Sequence, residues 1–232
     1  MVDDGGMRLI LIRHGQTSSN VADLLDSAEP GADLTDLGRR QASAVPESLT
    51  EERIDVVYAS TLVRTQQTAA PLLAERALDL VVHPGLREVG AGDLEMRGDE
   101  EAHRIYLSTI FGWAQDPDSR MPGGQSGREV WDRYDEAIAE AHGSGAQTAV
   151  MFSHGAIMRS WAAARVANVT GEHAARNRIT NTGAIVLQGD PAAGWWAETW
   201  EGMALGGDRL STPATSGPGG EELPEEAGPE QA

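Results

Sequence analysis

A three-layer α/β/α sandwich around a mostly parallel central sheet is the fold this sequence predicts. Three observations carry it. Short apolar runs alternate with longer stretches at helical spacing. The first run, 7–13, is nearly continuous and ends in charge, as buried parallel strands do. The chain has 232 residues, 40% of them hydrophobic, enough for one substantial core.

After the strand at 7–13, Leu34-Thr35-Asp36-Leu37-Gly38 opens a helix to about residue 49, with Thr35 as its N-cap. A second strand covers 54–59. Ser60 starts a helix through residue 74, with Leu62, Thr65, Ala69, Leu72 and Leu73 at helical spacing. A third strand covers 78–83, followed by a loop-rich stretch with some helix from 85 to 125. Residues 126–142 form a helix whose apolar face is Val130, Trp131, Tyr134, Ala137 and Ile138. A strand at 148–152, a helix at 155–166, and strands at 184–188 and 195–200 complete the body.

The composition sets limits. No run is apolar for the roughly 18–20 residues of a membrane helix. The first residues lack the basic start of a secretory leader, so a cytoplasmic location is expected. With no cysteine, disulfides, thiolate metal sites and cysteine nucleophiles are excluded. Net charge is −18, and all 18 basic residues are arginine. That balance disfavours nucleic acid and anionic membranes as partners. From residue 211 the composition shifts to Ser, Thr, Pro, Gly and Glu. Glu221, Glu222, Glu225, Glu226 and Glu230 meet no positive charge there. Such a segment buries too little apolar area to offset its ordering entropy. The expectation is a domain over 1–210 and an acidic Pro/Gly-rich disordered tail over 211–232.

Three strand ends hand over to polar clusters: Arg13-His14-Gly15, Ser60 to Arg64, and Ser153-His154-Gly155. In open parallel sheets the ligand crevice lies at the carboxyl ends of the strands, so the clusters should converge. A single histidine after a strand is ordinarily a surface or capping residue. Two His-Gly turns accompanied by Arg13 and Arg64 in an acidic protein point instead to an anion, and a phosphoryl group matches the guanidinium fork. Backbone N–H groups of Gly155 and Ala156, at a helix start, would add to the anion site.

These blocks resemble the histidine phosphatase superfamily, in the branch with phosphoglycerate mutase-like enzymes and small-molecule phosphatases. Arg13-His14-Gly15-Gln16-Thr17 with Asn20 is similar to the opening signature. Leu34 to Ala42 is similar to the helix start that follows it. Ser60-Thr61-Leu62-Val63-Arg64 with Thr68-Ala69 resembles the second signature. Leu86-Arg87-Glu88 with Gly92 and Glu95 resembles the acid-bearing segment, and Ser153-His154-Gly155 the late histidine motif. They occur in family order over about 7–188. The resemblance implies a phosphoglycerate mutase-like fold and a phosphohistidine formed on His14. It implies Glu88 as general acid and then base, rather than Glu95, and Arg13, Arg64 and His154 around the phosphoryl oxygens. Thr17, Asn20 and Gly155 would be further phosphate contacts. No metal and no cofactor are required by this cast.

Met96 follows Glu95 where members of the family commonly have Gly, and the paired arginines that mutases use for a substrate carboxylate have no clear counterpart between Glu88 and Gly123. The expected activity is therefore hydrolysis of a small-molecule phosphate ester. A cofactor-dependent phosphoglycerate mutase and a non-catalytic phosphate-binding module are the alternatives. Specificity should reside in 89–125, where Arg97, His103, Arg104, Tyr106 and Arg120 are available and Trp113 could line the pocket. His83, His103, His142 and His173 show no metal-ligand spacing. The natural substrate and the oligomeric state are not legible.

Overall fold

The computed structural model describes residues 6–212 together with Gly217 and Gly219. Apart from residues 211, 212, 217 and 219, the expected tail lies outside the described residues.

Among the described residues six strands form one sheet: β1 (Met7–Arg13), β2 (Val56–Ala59), β3 (Leu80–Val82), β4 (Thr148–Ser153), β5 (Ala184–Asp190) and β6 (Gly194–Glu201). Their order is β3-β2-β4-β1-β5-β6. The first four are mutually parallel, while β5 and β6 run antiparallel to their neighbours. The sheet is thus mostly parallel, as expected. The antiparallel direction of β5 was not predicted, because a strand's own residues do not encode the direction of its neighbour.

Among the described residues seven α-helices accompany the sheet: α1 (Ser18–Val21), α2 (Asp36–Ser48), α3 (Val63–Arg76), α4 (Glu100–Gly112), α5 (Gly127–Gly143), α6 (Gly155–Arg165) and α7 (Gly171–Arg176). No described helix is long and apolar enough to cross a membrane. The period-two alternation of β1 divides the core. Leu9 and Leu11 join one cluster with Tyr134, Ile138, Ile157 and Trp161 from α5 and α6. Ile10 and Ile12 join a second with Val45, Ala69 and Leu72 from α2 and α3. These clusters are the two interlayer cores of a three-layer sandwich. Burying each such side chain contributes about 1.5–3 kcal/mol.

Helix starts follow the expected cap chemistry. Thr35 accepts from Gly38 N (3.0 Å) at the head of α2. Ser126 and Glu129 form a capping box at α5. The exception is α3, whose N-cap is Leu62 and makes no side-chain hydrogen bond. Ser60 was the predicted start of that helix, but its hydroxyl is committed elsewhere.

Candidate active site

Strands β1 and β4 lie side by side in register, Arg13 opposite Ser153. Their carboxyl ends therefore deliver His14 and His154 to one place, with ring centroids 5.2 Å apart. Strand β2 flanks β4 and leads into α3, which supplies Arg64. Arg13, His14, Thr17, Asn20, Arg64 and Glu88 all line one pocket. His154 is fully buried behind it.

His14 Nδ1 lies 2.7 Å from Gly15 O. A carbonyl only accepts, so Nδ1 carries the proton and the lone pair of a neutral ring is on Nε2. Burial, reinforced by the guanidiniums of Arg64 and Arg13, holds the His14 pKa well below the ordinary histidine value. The imidazole is therefore unprotonated at neutral pH. Its backbone is clamped from the β5 side. Thr182 N donates to Arg13 O (3.1 Å), and Asn181 Nδ2 donates to His14 O (3.2 Å) and to Asn20 Oδ1 (3.1 Å). Sequence reasoning missed this clamp, whose one visible signal is the turn-forming Asn181-Thr182-Gly183 before β5.

Arg64 Nη2 donates to the backbone oxygen of Asp26 (2.8 Å). Its Nε and Nη1 are buried without a hydrogen-bond partner among the described residues, and so is His154 Nδ1. Buried polar atoms are normally satisfied, so these orphans leave two Arg64 donors beside the pocket open to an acceptor. Arg13 Nη1 donates to Ile179 O (2.7 Å), which fixes that guanidinium at the crevice.

Burial, then Arg64, His14, Arg13 and Arg133, also lower the His154 pKa well below the ordinary value. Its ring thus holds a single proton. Ser60 Oγ lies 2.8 Å from His154 Nε2 and accepts from Leu62 N (3.2 Å). Thr65 Oγ1 donates to Leu62 O (2.8 Å) and also lies 3.0 Å from Ser60 Oγ, so the Ser60 hydroxyl serves both Thr65 and His154 and holds the ring at Nε2. The commitment of Ser60 explains why it does not cap α3.

The depressed histidines set a pH dependence. The unfolded chain binds protons near pH 6.5, and the folded chain only at lower pH. Stability is therefore full above about 6.5 and falls as pH drops below that value. For the same reason the acid limb of kcat/KM should lie well below pH 6.5. A free histidine would be about three-quarters protonated at pH 6. A rate profile corrected for substrate ionisation checks this, and a limb at 6.5 would contradict a buried neutral His14.

Glu88 occupies a position not foreseen. Its carboxylate accepts from Val89 N (2.9 Å) and Ile157 N (2.9 Å) through Oε1, and from Ala156 N (3.2 Å) through Oε2. The α6 amide of Ala156, expected to bind the phosphoryl group, instead holds Glu88. The physical reason is that a carboxyl side chain at a helix N-terminus meets the same dipole and amides that a free anion would. Arg133 fixes Glu88 from behind, donating to Glu88 O (2.9 Å). Gly155 lies against Arg13, where a Cβ would fall 3.1 Å from Arg13 Nε and 2.5 Å from Gly219 O. Gly219 itself lines the pocket, and its carbonyl accepts from Arg159 Nη1 (3.4 Å). Composition alone gave no signal for that placement.

Thr17 and Asn20 line the pocket while making the α1 capping box, in which Thr17 Oγ1 accepts from Asn20 N and Asn20 Oδ1 from Thr17 N. Glu95 is structural, accepting from Ser27 N (2.8 Å), Ala28 N (2.9 Å) and the Ser27 hydroxyl. Trp113 does not line the pocket: it is fully buried in the core, donating Nε1 to Ser119 O. Of the specificity candidates only Tyr106 reaches the pocket, its hydroxyl donating to Val89 O (2.8 Å). Arg97 pairs with Asp99, Arg120 with Glu129, and His103 bonds Asp23 O.

The sequence profile of the histidine phosphatase superfamily (branch 1) matches residues 9–201. The PE-PGRS family protein PE_PGRS11 of Mycobacterium tuberculosis is 34% identical over 218 residues, covering 87% of this chain. This chain spans just 37% of that relative's length. The 2,3-bisphosphoglycerate-dependent phosphoglycerate mutase of Bartonella henselae is 32% identical over 163 residues, covering 66% of this chain and 78% of the mutase. Among solved structures, mycobacterial glucosyl-3-phosphoglycerate phosphatase superposes with a TM-score of 0.71 at 26% identity, over 84% of this chain and 99% of that one.

Proposed function

This chain belongs to the histidine phosphatase superfamily, and from that premise we propose that it hydrolyses a small-molecule phosphate monoester through a phosphohistidine on His14. The observation that carries the reading is the set of orphaned polar atoms, Arg64 Nε and Nη1 and His154 Nδ1, close to the unprotonated Nε2 of His14. A phosphoryl group would satisfy them all.

In the first step His14 Nε2 attacks phosphorus in line, the P–O bond to the alcohol breaks, and a proton from Glu88 passes to the leaving oxygen. In the second, Glu88 takes a proton from water as the water oxygen attacks phosphorus. The N–P bond breaks, and orthophosphate leaves. Arg13, Arg64 and His154 stabilise the equatorial oxygens in both transition states. Thr17, Asn20 and Gly155 shape the entrance to that cradle. Because fixed guanidinium charge serves the oxygens, we expect turnover in the presence of a chelator.

The test separates the two steps. p-Nitrophenyl phosphate has a leaving group that needs little protonation, so Glu88→Gln should still be phosphorylated by it. Dephosphorylation should slow by about 10²–10⁴-fold, the usual contribution of a general base. An initial burst and an acid-labile, base-stable phosphoenzyme are the expected signatures. Wild-type turnover by Glu88→Gln would remove Glu88 from the mechanism.

The mutase reading has support in the Bartonella relative. Against it stands the pocket lining, in which Arg13 and Arg64 are the only cations among the described residues, and both serve the phosphoryl group.

A further inference from the structure

Beyond the phosphoryl cradle, the pocket wall is formed by Leu24, Leu25, Asp26, Ser27, Ala91 and Tyr106. Its one ionisable carboxyl is Asp26. That side chain is only 10% exposed and is held by design of the loop: Oδ2 accepts from Ser19 Oγ (2.7 Å) and from Ala32 N (3.0 Å). Oδ1 makes no hydrogen bond among the described residues and approaches Arg64 Nη1 at 3.9 Å.

Among the described residues no other positive charge lines this wall. Arg87 lies outside the pocket lining, paired with Glu29, and Arg97 is paired with Asp99. Arg133 is turned to the carbonyls of Gly85, Arg87 and Glu88. Once Arg64 and Arg13 engage the phosphoryl oxygens, a second anionic group on the substrate would face the Asp26 carboxylate with no counter-charge. A hydroxyl would instead donate to Oδ1. Like charges in a partly desolvated pocket repel strongly, whereas a hydroxyl donor to a carboxylate is favourable.

We propose that Asp26 is a specificity determinant that selects monoesters of neutral, hydroxyl-bearing alcohols and rejects those carrying a carboxylate or second phosphate beside the ester. The proposal rests on the phosphatase reading above. It separates this chain from the mutase and the phosphatase it resembles, both named for phosphoglycerate compounds, which carry a carboxylate.

Two esters that differ at one group provide the test. Glycerol 3-phosphate has a CH2OH where 3-phosphoglycerate has a carboxylate. The full-length wild-type chain should favour glycerol 3-phosphate in kcat/KM by about tenfold or more. Asp26→Asn keeps the size of the side chain and should shrink that ratio about tenfold, chiefly by lowering KM for 3-phosphoglycerate. A wild-type preference for the carboxylate ester would overturn the proposal. So would an Asp26→Asn variant that loses equally on both esters, since Asp26 would then only position Arg64. p-Nitrophenyl phosphate is the control: a wild-type chain inert towards all three would overturn the phosphatase reading itself, and this proposal with it.

Discussion

Replacement of His14 by alanine should abolish phosphate ester hydrolysis, lowering kcat at least about 10³-fold. A lost nucleophile cannot be replaced by the groups that stabilise charge around it, so the effect should exceed that of any single clamp residue. The substitution removes Nε2 and the Nδ1–H bond to Gly15 O, and leaves Arg64, His154 and Glu88 in place. The loss of that one hydrogen bond should cost about 1 kcal/mol of stability, so the variant should remain folded. Binding and chemistry therefore come apart. His14→Ala should still bind vanadate or orthophosphate through Arg64 and Arg13, measurable by titration calorimetry, yet form no phosphoenzyme with radiolabelled substrate. Retention of more than a tenth of the wild-type rate would show that another group attacks phosphorus.

The second large effect falls on folding rather than chemistry. Gly38, in the first turn of α2, packs directly on the loop that follows β1. A Cβ at position 38 would lie inside van der Waals contact with Gln16 O and only 3.0 Å from Gln16 N and C. The contact is reciprocal, since a Cβ at Gly15 would sit 2.7 Å from Gly38 O. Both surfaces are backbone and cannot rotate away. Helix propensity favours Gly38→Ala by about 1 kcal/mol, but overpacking of this kind costs about 1–3 kcal/mol or more and should win. We expect a net loss of about 2 kcal/mol and a Tm lower by roughly 4–8 °C. Activity should fall too, because Gln16 is two residues from His14 and its amide is fixed by Gln41 Oε1 (2.8 Å). Gly143, at the exposed end of α5, has nothing within 4 Å of its Cβ position. Gly143→Ala should therefore stabilise by about 0.5–1 kcal/mol, so paired thermal melts test the clash against propensity.

The fold was legible largely because its signals are local. The run Leu9-Ile10-Leu11-Ile12 reads as a strand buried on both faces, and the two core clusters divide it accordingly. Thr35 and Ser126 announced their helices through capping chemistry that needs only neighbouring residues. The misses are equally instructive. The four-residue α1 and six-residue α7 are too short for helical periodicity to show. Trp113 was offered to the pocket because its segment surrounds the site, yet a core partner, Trp131, lies edge-on at 6.3 Å and claims it.

What the sequence determined by itself was the cast: apolar strands that end in Arg13-His14-Gly15 and Ser153-His154-Gly155, with Arg64 and Glu88 between them. Residue type and order along the chain suffice for that, since each motif is a short contiguous block. What only the tertiary structure decided was the state in which each member is held. Burial beside Arg64 and Arg13 keeps His14 neutral, and Gly15 O dictates which nitrogen carries the lone pair. Packing of α6 against the Glu88 loop gives helix amides to Glu88. The fold of the 26–32 loop turns Asp26 into the pocket beside Arg64. Charge state and proton position depend on groups that are dozens of residues apart in sequence and a few ångströms apart in space, and packing alone creates those distances.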